Sequence, residues 1–283
     1  MKQRIITALI LAPIAIAGIF FLPFKFFMLS CAAVFLLASK EWGGFVSKKH
    51  SSLVLYLFAT VLGATLLFIP VTQIWSEGVV NPLISGGLTV AALWWCLSLL
   101  MVISYPKTAS LWKNNPIIKG VFGLLTLLPF FWGMVLLRSV NIDDNVYYGA
   151  QLLMFVFLLV WAADTGAYFT GKKFGKNKLA ASVSPGKTIE GFLGGLVSSM
   201  LVASIASLFF AIPTEKMVVF FVAAFVTNIV SALGDLSESI FKREAGLKDS
   251  GNLLPGHGGI LDRIDSLTAA VPVFAVIYLI WLS

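Results

Sequence analysis

Runs of about 20 apolar residues recur along the whole chain with short polar stretches between them, and each run is long enough to cross about 30 Å of hydrocarbon as a helix. Nine such runs can be read, at residues 5–22, 26–46, 52–71, 83–105, 117–140, 149–169, 192–212, 217–234 and 266–282. The pattern predicts an all-α, polytopic integral membrane protein of about nine transmembrane helices. An odd number of spans puts the termini on opposite sides. Residues 1–148 then form an N-terminal set of about five spans. Residues 149–283 form a C-terminal region with two long polar loops, 171–191 and 235–265.

The basic residues give the orientation, because Lys and Arg are retained on the cytoplasmic side. Nine spans gather seventeen of the twenty on one side and leave Lys25, Arg138 and Lys216 on the other. The N-terminus is therefore expected in the cytoplasm and the C-terminus outside. Dropping one span would scramble that segregation. Arg138, on the far side, is expected to matter little for turnover.

Composition agrees with the pattern. Hydrophobic residues make up 59% and charged residues 12% of the chain, with a mean hydropathy of +0.94; a soluble domain carries roughly 25% charged residues. The net charge of +7 is mostly this topology signal, with an added attraction to anionic headgroups, so no nucleic-acid partner is implied. Lys2 and Arg4 precede an apolar run longer than a signal-peptide core of roughly 7–15 residues, so an uncleaved first helix is expected. Cys31 and Cys96 fall inside spans and read as small buried hydrophobes. Most tryptophans read as interfacial anchors or bundle packing.

Chemistry concentrates in the two polar loops. Asp164 and Tyr168 share a helical face near the end of the sixth span, where a carboxylate is costly unless paired, hydrated or functional. Downstream, Ser184, Gly186, Lys187 and Thr188 resemble a phosphate-binding turn in type, although Thr188 serves equally as an N-cap for the seventh helix, with Glu190 in its first turn. The second loop is denser. Asp235 with Ser239, Glu238 with Lys242, and Ser239 with Arg243 stand four apart on a helix leaving the bilayer, while Asp262, Asp265 and Ser266 share a face at the start of the ninth. Glu238 with Lys242 reads as a surface pair. Carboxylates from two helix ends would converge among Lys242, Arg243, Lys248 and Arg263. That is the equipment of Mg²⁺-dependent phosphoryl or nucleotidyl transfer, whose transition state is stabilised mainly by positioning and charge. Gly251, Gly256, Gly258 and Gly259 around Pro255 and His257 predict a tight turn whose backbone N–H groups could approach phosphate. His257 could be a ligand, an acid or a loop hydrogen-bond donor.

The run from Ser239 through Lys242, Arg243, Lys248, Asp249, Gly251, Pro255, His257, Gly258, Gly259, Asp262 and Arg263 to Asp265 resembles the signature of the phosphatidate cytidylyltransferase (CDP-diacylglycerol synthase) family, bacterial type. Asp164 to Tyr168 and Ser184 to Gly191 are similar to that family's other cytoplasmic polar segments. The resemblance implies transfer of the cytidylyl group of CTP to phosphatidic acid for phospholipid biosynthesis, giving CDP-diacylglycerol and pyrophosphate. It implies Mg²⁺, with a second cation such as K⁺ left open, in a homodimer of the bacterial inner membrane with its active site facing the cytoplasm. By the same resemblance Asp235 and Asp262 hold the metal, with Asp265 beside them. Lys242, Arg243, Lys248, Arg263 and Lys187 neutralise phosphates, Ser239 hydrogen-bonds one of them, and Asp249 and Asp265 orient the cations or metal water. Asp164, Ser184, His257, Gly258 and Gly259 complete the candidate substrate site.

Two alternatives stay open on the residues alone. A Mg²⁺-dependent transferase moving phosphate from CTP to a polyprenol would need a base to activate a hydroxyl. An ion-coupled transporter would place its acids near mid-membrane in repeated halves, whereas here they gather at cytoplasmic ends.

Overall fold

The computed structural model describes residues 2–47, 51–76, 79–254, 256 and 258–282. Among these, nine α-helices follow the hydropathy pattern: α1 (Lys2–Phe21), α2 (Phe24–Val46), α3 (Ser51–Phe68), α4 (Pro82–Ser104), α5 (Pro116–Ser139), α6 (Tyr148–Phe174), α7 (Ile189–Phe209), α8 (Thr214–Glu244) and α9 (Leu261–Ile277). Seven of them, α3 to α9, are long and apolar enough to cross a membrane; α1 offers a shorter apolar stretch, and α2 carries Lys25, Lys40 and Glu41. The fold is that of a polytopic, predominantly helical integral membrane protein. Two small antiparallel hairpins interrupt the all-α expectation: β1 (Trp75–Ser76) with β2 (Val79–Val80), and β3 (Lys178–Ala180) with β4 (Ser184–Thr188).

Local chemistry sets the helix starts. Asn81 accepts a hydrogen bond from the Leu83 N–H and Asn115 from those of Ile117 and Ile118, each just ahead of a proline at the first helical position. Thr188 caps α7 through its hydroxyl, which accepts from the Gly191 N–H at 3.1 Å. Of the two readings open for this threonine, the cap is the one the fold uses. The stretch from Ser184 to Thr188 is correspondingly a strand and not a phosphate-type turn.

α9 is the hub of the bundle, packed by α2, α4, α5 and α8 and buried along nearly its whole length, with Val271, Phe274 and Ala275 fully enclosed. Packing therefore crosses the expected division at residue 148. α6 and α7 form the closest pair because small residues let their backbones meet: a Cβ on Gly195 would lie 2.6 Å from the Ala163 carbonyl oxygen. Outward faces of α3, α4 and α7 present Leu57, Leu67, Leu93, Ile103, Leu201 and Ile205, an apolar surface suited to lipid. Trp42, Trp94, Trp95, Trp112 and Trp132 are buried in the bundle, and only Trp281 of the expected anchors is strongly exposed. Cys31 is half-buried, but Cys96 lies on the exposed face of α4, so the buried reading does not hold for it.

Arg138 is not the idle far-side residue its position suggested. It is 1% exposed, and its Nε donates to the Ile19 carbonyl at 2.7 Å and its Nη1 to the Val146 carbonyl at 3.1 Å. The Ile19 carbonyl at the end of α1 would ordinarily accept from residue 23, but Pro23 has no N–H. Arg138 supplies the missing donor. Arg138→Ala is expected to destabilise the protein by about 2 kcal/mol, because it strands the buried Ile19 carbonyl and also loses the bond to the more exposed Val146. Loss of monodisperse protein on heating in detergent would appear several degrees earlier, while the surviving folded fraction keeps its turnover.

Candidate active site

α8 runs ten residues beyond Gly234, where its expected span ends, to Glu244, so Asp235, Glu238, Ser239 and Lys242 stand on a helix leaving the bilayer, as their spacing implied. Their inward face meets the start of α9. There Lys242 Nζ lies 2.9 Å from Glu238 Oε2 and 2.7 Å from Asp262 Oδ1. Glu238 is 3% exposed, which corrects the surface-pair reading: the four-residue spacing is real, but that face is turned into the protein. An ammonium between two buried carboxylates is a structural commitment, because removing one partner leaves an uncompensated charge, a loss of about 3–5 kcal/mol. The other oxygen of Glu238, Oε1, is buried without a hydrogen-bond partner among the described residues, with the Asp265 side chain close to Glu238.

Asp262 is held from every side. Its Oδ2 accepts from the backbone N–H of Ser250 and of Gly259, both at 2.8 Å, and lies 3.0 Å from the Ser250 hydroxyl. The same hydroxyl is 2.9 Å from Oε2 of Glu41, on α2, more than two hundred residues away in sequence. Glu41 also accepts from the N–H groups of Ile260 and Leu261, at 2.9 and 2.8 Å. It thereby caps α9, whose own N-cap residue, Ile260, offers no side-chain acceptor. The glycines fit around these carboxylates. Gly258 takes φ +82°, and a Cβ there would press on Asp262 Oδ2 at 2.5 Å. The Gly259 N–H, expected to face a phosphate, is committed to Asp262 instead. His257 and Pro255 lie outside the described residues.

The second half of the site is a cleft of about 500 Å³ between α6, α7, α8 and the β3–β4 hairpin. Its mouth is charged: Lys187 of β4 makes a 2.7 Å ion pair with Asp235 Oδ2, and the Ser239 hydroxyl donates to Asp235 Oδ1 at 3.4 Å. Asp164 and Tyr168 of α6 line the same cleft. Two contacts hold the hairpin in place. Arg243 Nε donates to the Val183 carbonyl at 3.3 Å, and Glu190 accepts from the backbone of Lys176 and Asn177 where α6 gives way to β3. A separate hollow of about 320 Å³ beside Thr65, Leu88 and Trp132 has no charged lining residue.

The structure thus brings Asp164, Lys187, Asp235 and Ser239 together at the cleft, and Lys242, Asp262 and Asp265 beside Glu238 at the α8–α9 corner. Arg263 is exposed on the first turn of α9, close enough for its charge to act on Asp164. Lys248 and Asp249 are exposed on the connecting loop, where Asp249 packs against the Gly258 backbone. Ser184 pairs with Ala180 in the hairpin, outside the cleft lining. Sequence reasoning passed over Glu41, Ser250 and the burial of Glu238. A carboxylate at the end of an apolar helix was the available signal for Glu41.

Among the described residues no three His, Cys, Asp or Glu side chains are gathered so as to hold a metal ion by themselves. That suits Mg²⁺, which is commonly bound by one or two carboxylates together with substrate phosphates and water. Asp235 Oδ1, with one long contact, and the buried Glu238 Oε1 have capacity to spare, whereas Asp262 Oδ2 is saturated.

A profile of the cytidylyltransferase family matches residues 2–281, essentially the whole chain. The chain belongs to the cytidylyltransferase family. Among its relatives, a protein of Haemophilus influenzae named phosphatidate cytidylyltransferase is 43% identical over 98% of this chain and 98% of its own length. One of Pseudomonas aeruginosa with the same name is 42% identical over 99% of this chain and 97% of its own. A Bacillus subtilis protein so named is 41% identical over 53% of this chain and 55% of its own.

Proposed function

We propose that this member of the cytidylyltransferase family transfers the cytidylyl group of CTP to phosphatidic acid, giving CDP-diacylglycerol and pyrophosphate, at the cytoplasmic face of the bacterial inner membrane. The observation that carries the reading is the cleft, which joins the Lys187–Asp235 pair and the charged Asp164 and Lys172 to small and apolar residues such as Ala163, Ala167, Phe192, Gly195 and Ala232 of three helices. Such a shape suits a substrate with an anionic head and acyl tails. Full-length similarity to phosphatidate cytidylyltransferases supports the choice of substrates. Nine helices at the expected positions and the one-sided basic residues support nine spans, with the N-terminus inside and the C-terminus outside. The reading includes a homodimer, which the mass of the detergent-solubilised protein checks.

A phosphatidate oxygen attacks the α-phosphorus of CTP, the bond from that phosphorus to the oxygen bridging to the β-phosphate breaks, and pyrophosphate leaves. Phosphatidate brings its own anionic nucleophile, so the work of the site is to bring two anions together. Lys187, paired with a partly exposed Asp235, turns to phosphate oxygens, and Lys242 adds its charge from its seat between Glu238 and Asp262. Arg263 and Lys248 add charge from the exposed side, Arg243 keeps the hairpin over the cleft, and Ser239 donates to a phosphate. Asp235, with Asp262 and Asp265 nearby, would hold Mg²⁺, which when bound would neutralise phosphate oxygens. A second cation such as K⁺ would sit against Glu238 and Asp265, and dependence of turnover on K⁺ checks it.

The test is purified protein in detergent with phosphatidate, Mg²⁺ and CTP labelled at either the α- or the γ-phosphate. Label is expected on lipid from α-labelled CTP only. Transfer of γ-label would make the protein a lipid kinase, and no labelled lipid from either would remove the assignment.

A further inference from the structure

The floor of the cleft holds a group that the reaction above does not use. Asn228, Ser231, Ala232 and Asp235 occupy positions i, i+3, i+4 and i+7 of α8, so one stripe of that helix runs from the charged mouth down into the span. Asn228 is 2% exposed, and its Nδ2 is buried with no hydrogen-bond partner among the described residues. The Ser231 hydroxyl, by contrast, is satisfied by the Asn228 carbonyl at 2.7 Å. An amide donor left unmet in so apolar a place is costly, and native proteins keep few of them. A ligand acceptor would relieve it.

Depth identifies the acceptor. Seven residues at 1.5 Å rise put Asn228 roughly 10 Å below Asp235 along α8, inside the segment that spans hydrocarbon. A nucleotide does not reach there. A phosphate lodged between Lys187 and Asp235 places the glycerol beneath it and the first acyl ester beneath that, on the way down to Asn228. The ester carbonyl is the one good acceptor that a diacylglycerol phosphate carries to this depth. Below it are only methylenes, and α7, which walls the cleft with Phe192 and Gly195, exposes the apolar side chains of Leu193 and Val197.

We propose that Asn228 is a specificity-determining residue that donates a hydrogen bond from Nδ2 to an acyl ester carbonyl of the lipid substrate, so that the enzyme selects ester-linked over ether-linked phosphatidate. The proposal rests on the lipid-transferase reading given above. A site with a buried donor rejects an analogue lacking the acceptor far better than an apolar site rejects an extra polar group.

The experiment compares diacyl phosphatidate with its dialkyl ether analogue of equal chain length, in detergent, at saturating CTP. The unmodified protein is expected to favour the diester about tenfold in kcat/KM, chiefly through lipid KM. Asn228→Leu removes the donor while filling its space; it is expected to lower the diester value about tenfold, leave the diether value unchanged or improved, and leave the KM for CTP unchanged. Asn228→Ala is expected to show the same collapse of discrimination. Equal use of both lipids by the unmodified protein overturns the proposal without any variant, as does a variant that slows both lipids alike. Absence of cytidylylated product from either lipid with the unmodified protein would instead overturn the functional reading on which it rests.

Discussion

Asp235→Asn is expected to lose cytidylyl transfer by about three orders of magnitude while the protein remains folded in membranes. The size follows from what the carboxylate is asked to do. It faces the mouth of the cleft, carries Lys187 at 2.7 Å and keeps its other oxygen nearly free, so it is the acid best placed to hold a cation against phosphate. Removing one fixed charge aimed at a developing one typically costs about 10²–10³ in rate, and more when a cation leaves with it. The folded state should tolerate the change because both members of the Lys187–Asp235 pair are more than a quarter exposed and can turn to water. Such pairs contribute only about 0–1 kcal/mol. Asp262→Asn makes the contrast. It too should abolish turnover, but it also weakens the seat of a mostly buried Lys242 and the closure of the Ser250 and Gly259 backbone, so thermal stability should fall with activity. Turnover and thermal midpoint measured side by side separate the two acids. Unchanged turnover in Asp235→Asn would remove that residue from the site.

What was legible in the sequence follows from the range of the signals. Each apolar run is a local statement about twenty neighbouring residues, and every one of the nine lies on a helix. The spacing of Asp235, Glu238, Ser239 and Lys242 is local too, and it placed them correctly on a continuation of α8. The facing of that continuation is not local. Four-residue spacing says that Glu238 and Lys242 meet, but only the position of α9 decides that they meet in the interior. The strand formed by Ser184 to Thr188 was hidden for a similar reason: its glycine and proline suit a turn, and pairing with Lys178 to Ala180 is what extends it. More distant still is the contact between Glu41 and Ser250, for which one sequence offers no spacing to read.

That contact carries the second large expectation. Glu41→Ala should lower kcat by about 10- to 100-fold in the protein that still folds, with the KM for CTP little changed. Glu41 touches no group assigned to substrate, so it acts by position. Its two oxygens take the Ile260 and Leu261 N–H groups and stand beside the Ser250 hydroxyl, which in turn faces Asp262. A single hydroxyl proton lies between the Glu41 and Asp262 carboxylates, so the geometry of one governs the other. Without Glu41 the first turn of α9 loses its cap and the backbone around Ser250 gains room, because Gly251 and Gly259 pack directly on the Glu41 side chain. Asp262 would then drift against Lys242, and displacement of about 1 Å at a reacting centre can cost a hundredfold. Stability should fall as well, by about 1–3 kcal/mol for hydrogen bonds to a charged acceptor. Glu41→Gln keeps an acceptor for α9 without the charge and should fall between the two. Since a purely structural role would remove folded protein without changing the kcat of what remains, kcat per folded molecule, taken from active-fraction measurements alongside size exclusion, decides the matter. An unchanged kcat in the folded fraction of Glu41→Ala would leave Glu41 as a helix cap and nothing more.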